Sequence, residues 1–524
     1  MNAFKSPPPI ILHTDSAQQV AFEEQTEAVE KLTKQVAKGG GIAFIGTGAG
    51  KLLTLGLHIL LGRVLGPSAY GLYAIGMSVA VIARSFAPLG LNQGIVRFCS
   101  LYRGKGDNER IKGTILSALG ISLFSSIVVA CILFTFSDLI ANRFFHDKDL
   151  SWVIRVFAIE LPFFVIVGIT ASVAQSFRRI AYHQGIQNIF YPLTTLILVS
   201  VAFLLGFQLA GALYGVIVAG ILSAVAGLYF LVKIFPVFSS NLKPKYQAQT
   251  LLRFSGSVFL AGLAYALNMQ IDRIILGHFE APYQVGVYNA ATVIALQIGT
   301  IAFHPLSVIM SPIIADLYNQ NRIDELKLIF QTATRWMFSI AAPFLIIVSL
   351  FAREIMNCFG SAFASGWLVL MILALSRFIF VSVGPTTELL QMSGRQNLDL
   401  LNNASFLAIN IGLNLWLIPL MGSIGAAIAT AASVIVFNIT QLIEIRILLK
   451  INPYSTKFVR PCAIVLGISI FGILLKYVLA YNSWVLITVV LLISYFTLFY
   501  LVGLNDEDKL IIATIEQRIK RKQV

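Results

Sequence analysis

Charged side chains are scarce: Asp, Glu, Lys and Arg fill only 12% of the 524 positions, against about 25% in an average soluble domain. A large soluble helical domain would carry its apolar residues as stripes. Here, with 57% hydrophobic residues, they form predominantly apolar runs of about 20 residues, which excludes that class. Cysteine is rarer still. Cys99, Cys131, Cys358 and Cys462 lie far apart, each in or beside an apolar run, with neither metal-ligand spacing nor a disulfide framework. They read as packing residues, and no metal or cofactor is expected. Residues 1–40 lack the short apolar core of a signal peptide and carry Glu23, Glu24, Glu27 and Glu30 instead. They read as a cytosolic amphipathic helix, opened by a capping box at Ser16 and Gln19 and ending at Gly39-Gly40-Gly41.

A phosphate loop is also missing, although Gly46-Thr47-Gly48-Ala49-Gly50-Lys51 imitates one. The pattern requires glycine where Ile45 stands and Ser or Thr where Leu52 stands. The segment lies inside an apolar run with no preceding strand, so ATP is not expected to bind. Its glycines are read as points where the helix bends or approaches a neighbour closely.

What is present is a succession of membrane spans. They are expected near 42–64, 72–96, 113–136, 152–174, 187–206, 210–233, 254–276, 286–312, 333–352, 366–389, 400–420, 423–444, 460–480 and 483–504. The net charge of +14 does not imply nucleic acid, because the basic residues sit mostly in alternate loops. One set holds Arg97, Arg103, Lys105, Arg110 and Lys112, then Arg178 and Arg179, with more at 233–253, 322–335 and 446–460. The opposite loops carry few, among them Arg63, Arg143, Lys148, Arg353 and Lys476. The positive-inside rule then places both termini in the cytosol, and residues 505–524 form a basic cytosolic tail.

Comparing the chain with itself yields an internal repeat. Gly71-Leu72-Tyr73 recurs as Gly286-Val287-Tyr288, Trp152 as Trp367, Gln175 as Gln391 and Gly211-Ala212 as Gly425-Ala426, at offsets of 214 to 216. The expected fold is therefore an all-α integral membrane protein of about 14 helices. Two pseudo-symmetric six-helix bundles (41–235 and 254–448) flank a cytosolic linker (236–253), and two additional helices (449–504) follow. Parallel repeats of this kind place a substrate site between them near the bilayer midplane.

Charges inside spans mark candidate sites, since they are costly unless they face a cavity or a partner. Lys51, Arg84 and Arg377 fall mid-span. Arg155 and Glu160 precede Pro162, Asp272-Arg273 lie toward one end of the seventh span, and His304 adjoins Pro305. Surplus positive charge suits an anionic head group such as a lipid-linked pyrophosphate. Pairing, interfacial anchoring and snorkelling are the competing uses, above all for Asp272, Arg273 and Arg155. Asn402, Asn403, Asn410 and Asn414 on the eleventh span suit cavity lining or interhelical hydrogen bonds.

The segment Leu65-Gly66-Pro67-Ser68-Ala69-Tyr70-Gly71-Leu72-Tyr73, preceded by Arg63, resembles the polysaccharide-transport branch of the multidrug/oligosaccharidyl-lipid/polysaccharide exporter superfamily. Asp272-Arg273-Ile274-Ile275-Leu276-Gly277 and Gly286-Val287-Tyr288 open the second half in the same manner. The resemblance implies a flippase in the cell membrane that moves polyprenyl-pyrophosphate-linked oligosaccharide from cytosolic to outer leaflet without hydrolysing ATP and without being an enzyme. It carries cationic cavity roles to Lys51, Arg84, Arg273 and Arg377, and leaves Arg155, Glu160, Asp272 and His304 as further cavity or coupling groups. Expected partners are the lipid-linked glycan, the bilayer and other polysaccharide-assembly proteins. A multidrug or cation antiporter is the first rival, and a polysaccharide-assembly membrane enzyme the second.

Overall fold

In the computed structural model, residues 16–238, 242–478 and 483–503 are described. The side chains of 16–45, 257, 304, 305, 308 and 309 lie outside that description, as do the expected basic tail and the capping side chains of Ser16 and Gln19. Among the described residues every regular element is helical, and 12 segments are long and apolar enough to cross a membrane. Two of these are of double length, Gly46–Gly104 with 59 residues and Gln396–Leu449 with 54. A straight helix of that size would measure about 80 Å, against a hydrocarbon layer of about 30 Å. Each therefore folds back and crosses twice, so the 12 segments make 14 crossings. The reversals fall at Gly66 (φ 70°, ψ 173°) and Gly422 (φ 56°, ψ −132°), conformations open to a residue without Cβ.

Some boundaries differ from expectation. The first helix does not stop at Gly39-Gly40-Gly41 but runs from Ser16 onward; glycine weakens a helix by about 1 kcal/mol without barring it. The eighth crossing ends at Ala302 rather than 312, and a separate helix, His304–Asn319, starts with Pro305 in its first turn. The tenth helix, Trp367–Ser382, stops ahead of Gly384-Pro385 and resumes as Thr386–Met392. Proline lacks the donor that would continue either helix and restricts the residue before it.

Without a hydrophobic force between helices in lipid, close backbone approach and polar contacts organise the packing. Gly46-Thr47-Gly48-Ala49-Gly50-Lys51 is helical, and two of its glycines serve such an approach. A methyl group on Gly50 would overlap the Asn188 carbonyl, and one on Gly46 would press on Gln184. Between the halves the contact is reciprocal. Gly71 lies against the Pro282 carbonyl and Gly286 against the Pro67 carbonyl, with no room for a methyl group at either. Pro67 and Pro282 are separated by the repeat offset, as are the two glycines. The two C-terminal crossings pack Ile464, Ile468, Leu491 and Tyr495 on Ala342, Ile346 and Phe351 of the Ile323–Asn357 helix, with Tyr495 Oη donating to the Ser339 carbonyl at 2.8 Å.

Gly71→Ala or Gly286→Ala is expected to force the halves apart where they touch, destabilising the protein by about 1–3 kcal/mol. Gly48→Ala and Gly256→Ala, which face open space within helices, are expected to stabilise by up to about 1 kcal/mol. Thermal unfolding of the four variants in detergent measures the contrast.

Candidate functional site

In the second half, the Ala248–Phe279 helix and the folded-back Gln396–Leu449 helix bring a carboxylate into a nest of polar side chains. Asp272 Oδ1 accepts from Asn414 Nδ2 at 2.9 Å, while Thr430 Oγ1 and Tyr288 Oη lie 2.8 and 3.0 Å from Oδ2. Asn414 Nδ2 also reaches Asn410 Oδ1 at 3.0 Å. Asn414 is fully buried, yet its own Oδ1 has no hydrogen-bond partner. A cavity at this point is bounded by Asp272, Arg273, Arg377, Tyr288, Asn410 and Thr430, with room for water or a small ion.

Arg273, next in sequence to Asp272, points elsewhere. Its Nε donates to Asn289 Oδ1 at 2.7 Å, and its Nη1 to the Met269 carbonyl and Gln270 Oε1, each at 2.9 Å. Both amide side chains then reach the first half: Asn289 Nδ2 donates to Tyr70 Oη at 2.8 Å, and Gln270 Oε1 accepts from Ser78 Oγ at 3.0 Å. His58 Nδ1 lies 3.0 Å beyond, on the Tyr70 hydroxyl. A polar chain thus runs from the edge of the Asp272 cavity across the seam between the halves. A buried polar group without a partner is costly, so each member depends on the next.

The first half holds its own buried charges. Arg84 Nη2 is 2.5 Å from Glu160 Oε2, with side-chain exposures of 8% and 0%. Tyr191 Oη donates to Glu160 Oε1 at 3.2 Å, and the guanidinium lies 4.1 Å over the Phe164 ring. Pro162 follows Glu160 by two residues in the Asp149–Ser176 helix.

The sequence-derived candidates therefore fall into two groups, Asp272 with Arg273 and Arg377 in the second half, and Arg84 with Glu160 in the first. Arg155 joins neither. It is half-exposed and pairs with Asp138 at 2.5 Å, its Nε donating to Ser137 Oγ at 2.8 Å. Lys51 is exposed and makes no ion pair among the described residues. The side chain of His304 is outside the description. Tyr70, Asn289, Tyr288, Thr430 and Tyr191 are the contributors that the charge search passed over. Their signal was polarity within apolar runs, which is weaker than a formal charge because hydroxyls and amides also satisfy neighbouring carbonyls.

This architecture of paired bundles is that of a membrane transporter. The chain belongs to the polysaccharide biosynthesis protein family, whose family model matches residues 36–318, and a MatE family model matches 257–416. Stage V sporulation protein B of Bacillus subtilis is 21% identical over 467 residues, covering 82% of this chain and 88% of that protein. The probable flippase AglR of Haloferax volcanii is 28% identical over 215 residues, 39% of this chain and 44% of AglR. Among solved structures, that of the lipid II flippase MurJ in an inward closed conformation superposes with a TM-score of 0.71. It shares 13% identity and covers 87% of this chain and 97% of MurJ, a likeness of fold.

Asn289→Ala would strand Arg273 Nε and leave the Tyr70 hydroxyl with His58 alone. A loss of about 1–3 kcal/mol is expected, read as a lower unfolding midpoint in detergent. Tyr70→Phe should lose a similar amount, since it takes the partner from both Asn289 Nδ2 and His58 Nδ1.

Proposed function

We propose that this protein is a flippase that moves polyprenyl-pyrophosphate-linked oligosaccharide from the cytosolic to the outer leaflet of the cell membrane, for cell-surface polysaccharide assembly. The observation that carries the reading is the placing of Arg84, Arg273 and Arg377 within spans that belong to two packed repeats. Arginine matches the paired oxygens of a phosphate and keeps its charge where lysine would lose it. Family membership and the flippase names among the relatives support the same direction.

In this reading the bundles 41–235 and 254–448 alternate in opening to either side, with both termini cytosolic, and the chain performs transport rather than catalysis. Lys51, exposed on the first crossing, meets the head group on entry. The Asp272 cavity is too small for a sugar and suits a coupling cation. Its oxygen donors are carboxylate, amide and hydroxyl groups, the choice of a hard ion, and they share the wall with Arg273 and Arg377. Arg155 and His304 take secondary roles on the transport path.

A deletion strain tests the reading. Lipid-linked intermediates are expected to accumulate on the cytosolic face, with export restored by the wild-type gene and reduced at least tenfold with Arg84→Ala or Arg377→Ala. Asp272→Asn should insert normally and lose dependence on the coupling ion. A second reading, a cation-coupled drug exporter, draws on the MatE match and the Asp272 cavity. Unchanged lipid intermediates with altered drug sensitivity would decide for it.

A further inference from the structure

The ion pair of the first half leaves part of its arginine unused. Arg84 gives Nη2 to Glu160, whereas its Nε is buried with no acceptor and its Nη1 faces the Met77 sulfur at 3.9 Å. A guanidinium carries five N–H donors in a planar fork; its Nε–H points to the same side as the Nη2 that Glu160 occupies, so the donors left open to a further acceptor are those of Nη1. Glu160 itself is held firmly. It accepts from Tyr191 at 3.2 Å, and Gly220 leaves it space, since a methyl group there would lie 3.3 Å from its Cγ.

We propose that Glu160 is a specificity-determining residue, an internal anion that keeps Arg84 from binding the singly charged phosphodiesters of bulk membrane lipid while still admitting a pyrophosphate. The inference rests on the flippase reading above. Bilayer phospholipid greatly outnumbers any lipid-linked sugar, so an unmasked arginine at membrane depth would fill with the wrong head group. With Glu160 in place the guanidinium is already neutralised. A phosphodiester then meets a carboxylate of like charge and offers one anionic centre in return. A pyrophosphate brings additional charge and oxygens, enough to engage the open Nη1 donors as charge-assisted hydrogen bonds beside the carboxylate. Selectivity of this kind comes from a repulsive element set against the competitor. Glu160 acts through Arg84 and so is a positioning residue rather than a direct ligand.

Binding of undecaprenyl pyrophosphate to the full-length protein is measured in nanodiscs of zwitterionic lipid, with and without phosphatidylglycerol as a major component. The wild type is expected to change its Kd by less than about twofold on adding phosphatidylglycerol, and Glu160→Gln to weaken by about tenfold. Glu160→Asp should restore the wild-type insensitivity, which a merely structural role would not require. Glu160→Ser replaces the glutamine variant if the latter fails to fold. A glutamine or serine variant as indifferent to phosphatidylglycerol as the wild type overturns the proposal, and so does a wild type that phosphatidylglycerol itself weakens. Absence of undecaprenyl pyrophosphate binding by the wild type in every lipid overturns the flippase reading, and this proposal with it.

Discussion

Two backbones touch where the halves of the molecule meet. Gly71 rests on the carbonyl of Pro282 and Gly286 on the carbonyl of Pro67, so the repeat closes on itself around a local two-fold. In lipid no hydrophobic force drives bundles together, and a contact without side chains is the closest approach available. The rest of the interface takes its register from that point. Tyr70 precedes Gly71 and Asn289 follows Gly286, and the 2.8 Å bond between their side chains forms only because the backbones have come so near.

The charges then sort themselves by bundle. Each half holds an acid within hydrogen-bond reach of hydroxyl groups: Glu160, fully buried, with Tyr191, and Asp272, half-buried, with Tyr288 and Thr430. They differ in what neutralises them. Glu160 has an arginine at 2.5 Å, whereas the hydrogen bonds to Asp272 come from neutral donors, with Arg273 turned into the seam and Arg377 on the cavity wall without an ion pair to it. A carboxylate inside a span without a direct cationic partner is the costlier arrangement. That difference is why Asp272, rather than Glu160, suits a coupling cation in the flippase reading.

Much of this was legible in the sequence, and the remainder was hidden for a physical reason. The crossings follow from apolar runs, and the repeat from a steady offset. The reversals at Gly66 and Gly422 sit where the sequence offers a residue that tolerates positive φ. The break before Pro305 was misplaced by about ten residues because the apolar run continues through it, and hydropathy does not register a lost N–H donor. Interhelical bonding by Asn402 and Asn414 was an expected use, and they bond Glu444 and Asp272. Partner identity was not legible. Arg84 and Glu160 are 76 positions apart, and Asn289 and Tyr70 are 219, so neither pair has a spacing that any local period would reveal.

The cavity beside Asp272 and the seam between the halves are joined through a single helix. Asp272 faces the cavity, and Arg273, one residue on, holds Asn289 and Gln270, which in turn hold Tyr70 and Ser78 of the other half. Neighbouring residues on a helix project about 100° apart, so a small rotation that re-aims one must re-aim the other. An ion settling on Asp272 would therefore strain or relieve the bonds across the seam without touching them. Alternating access requires such a differential interaction between two packings. In the proposed flippase, the adjacency of Asp272 and Arg273 would supply it with no long pathway of intermediaries.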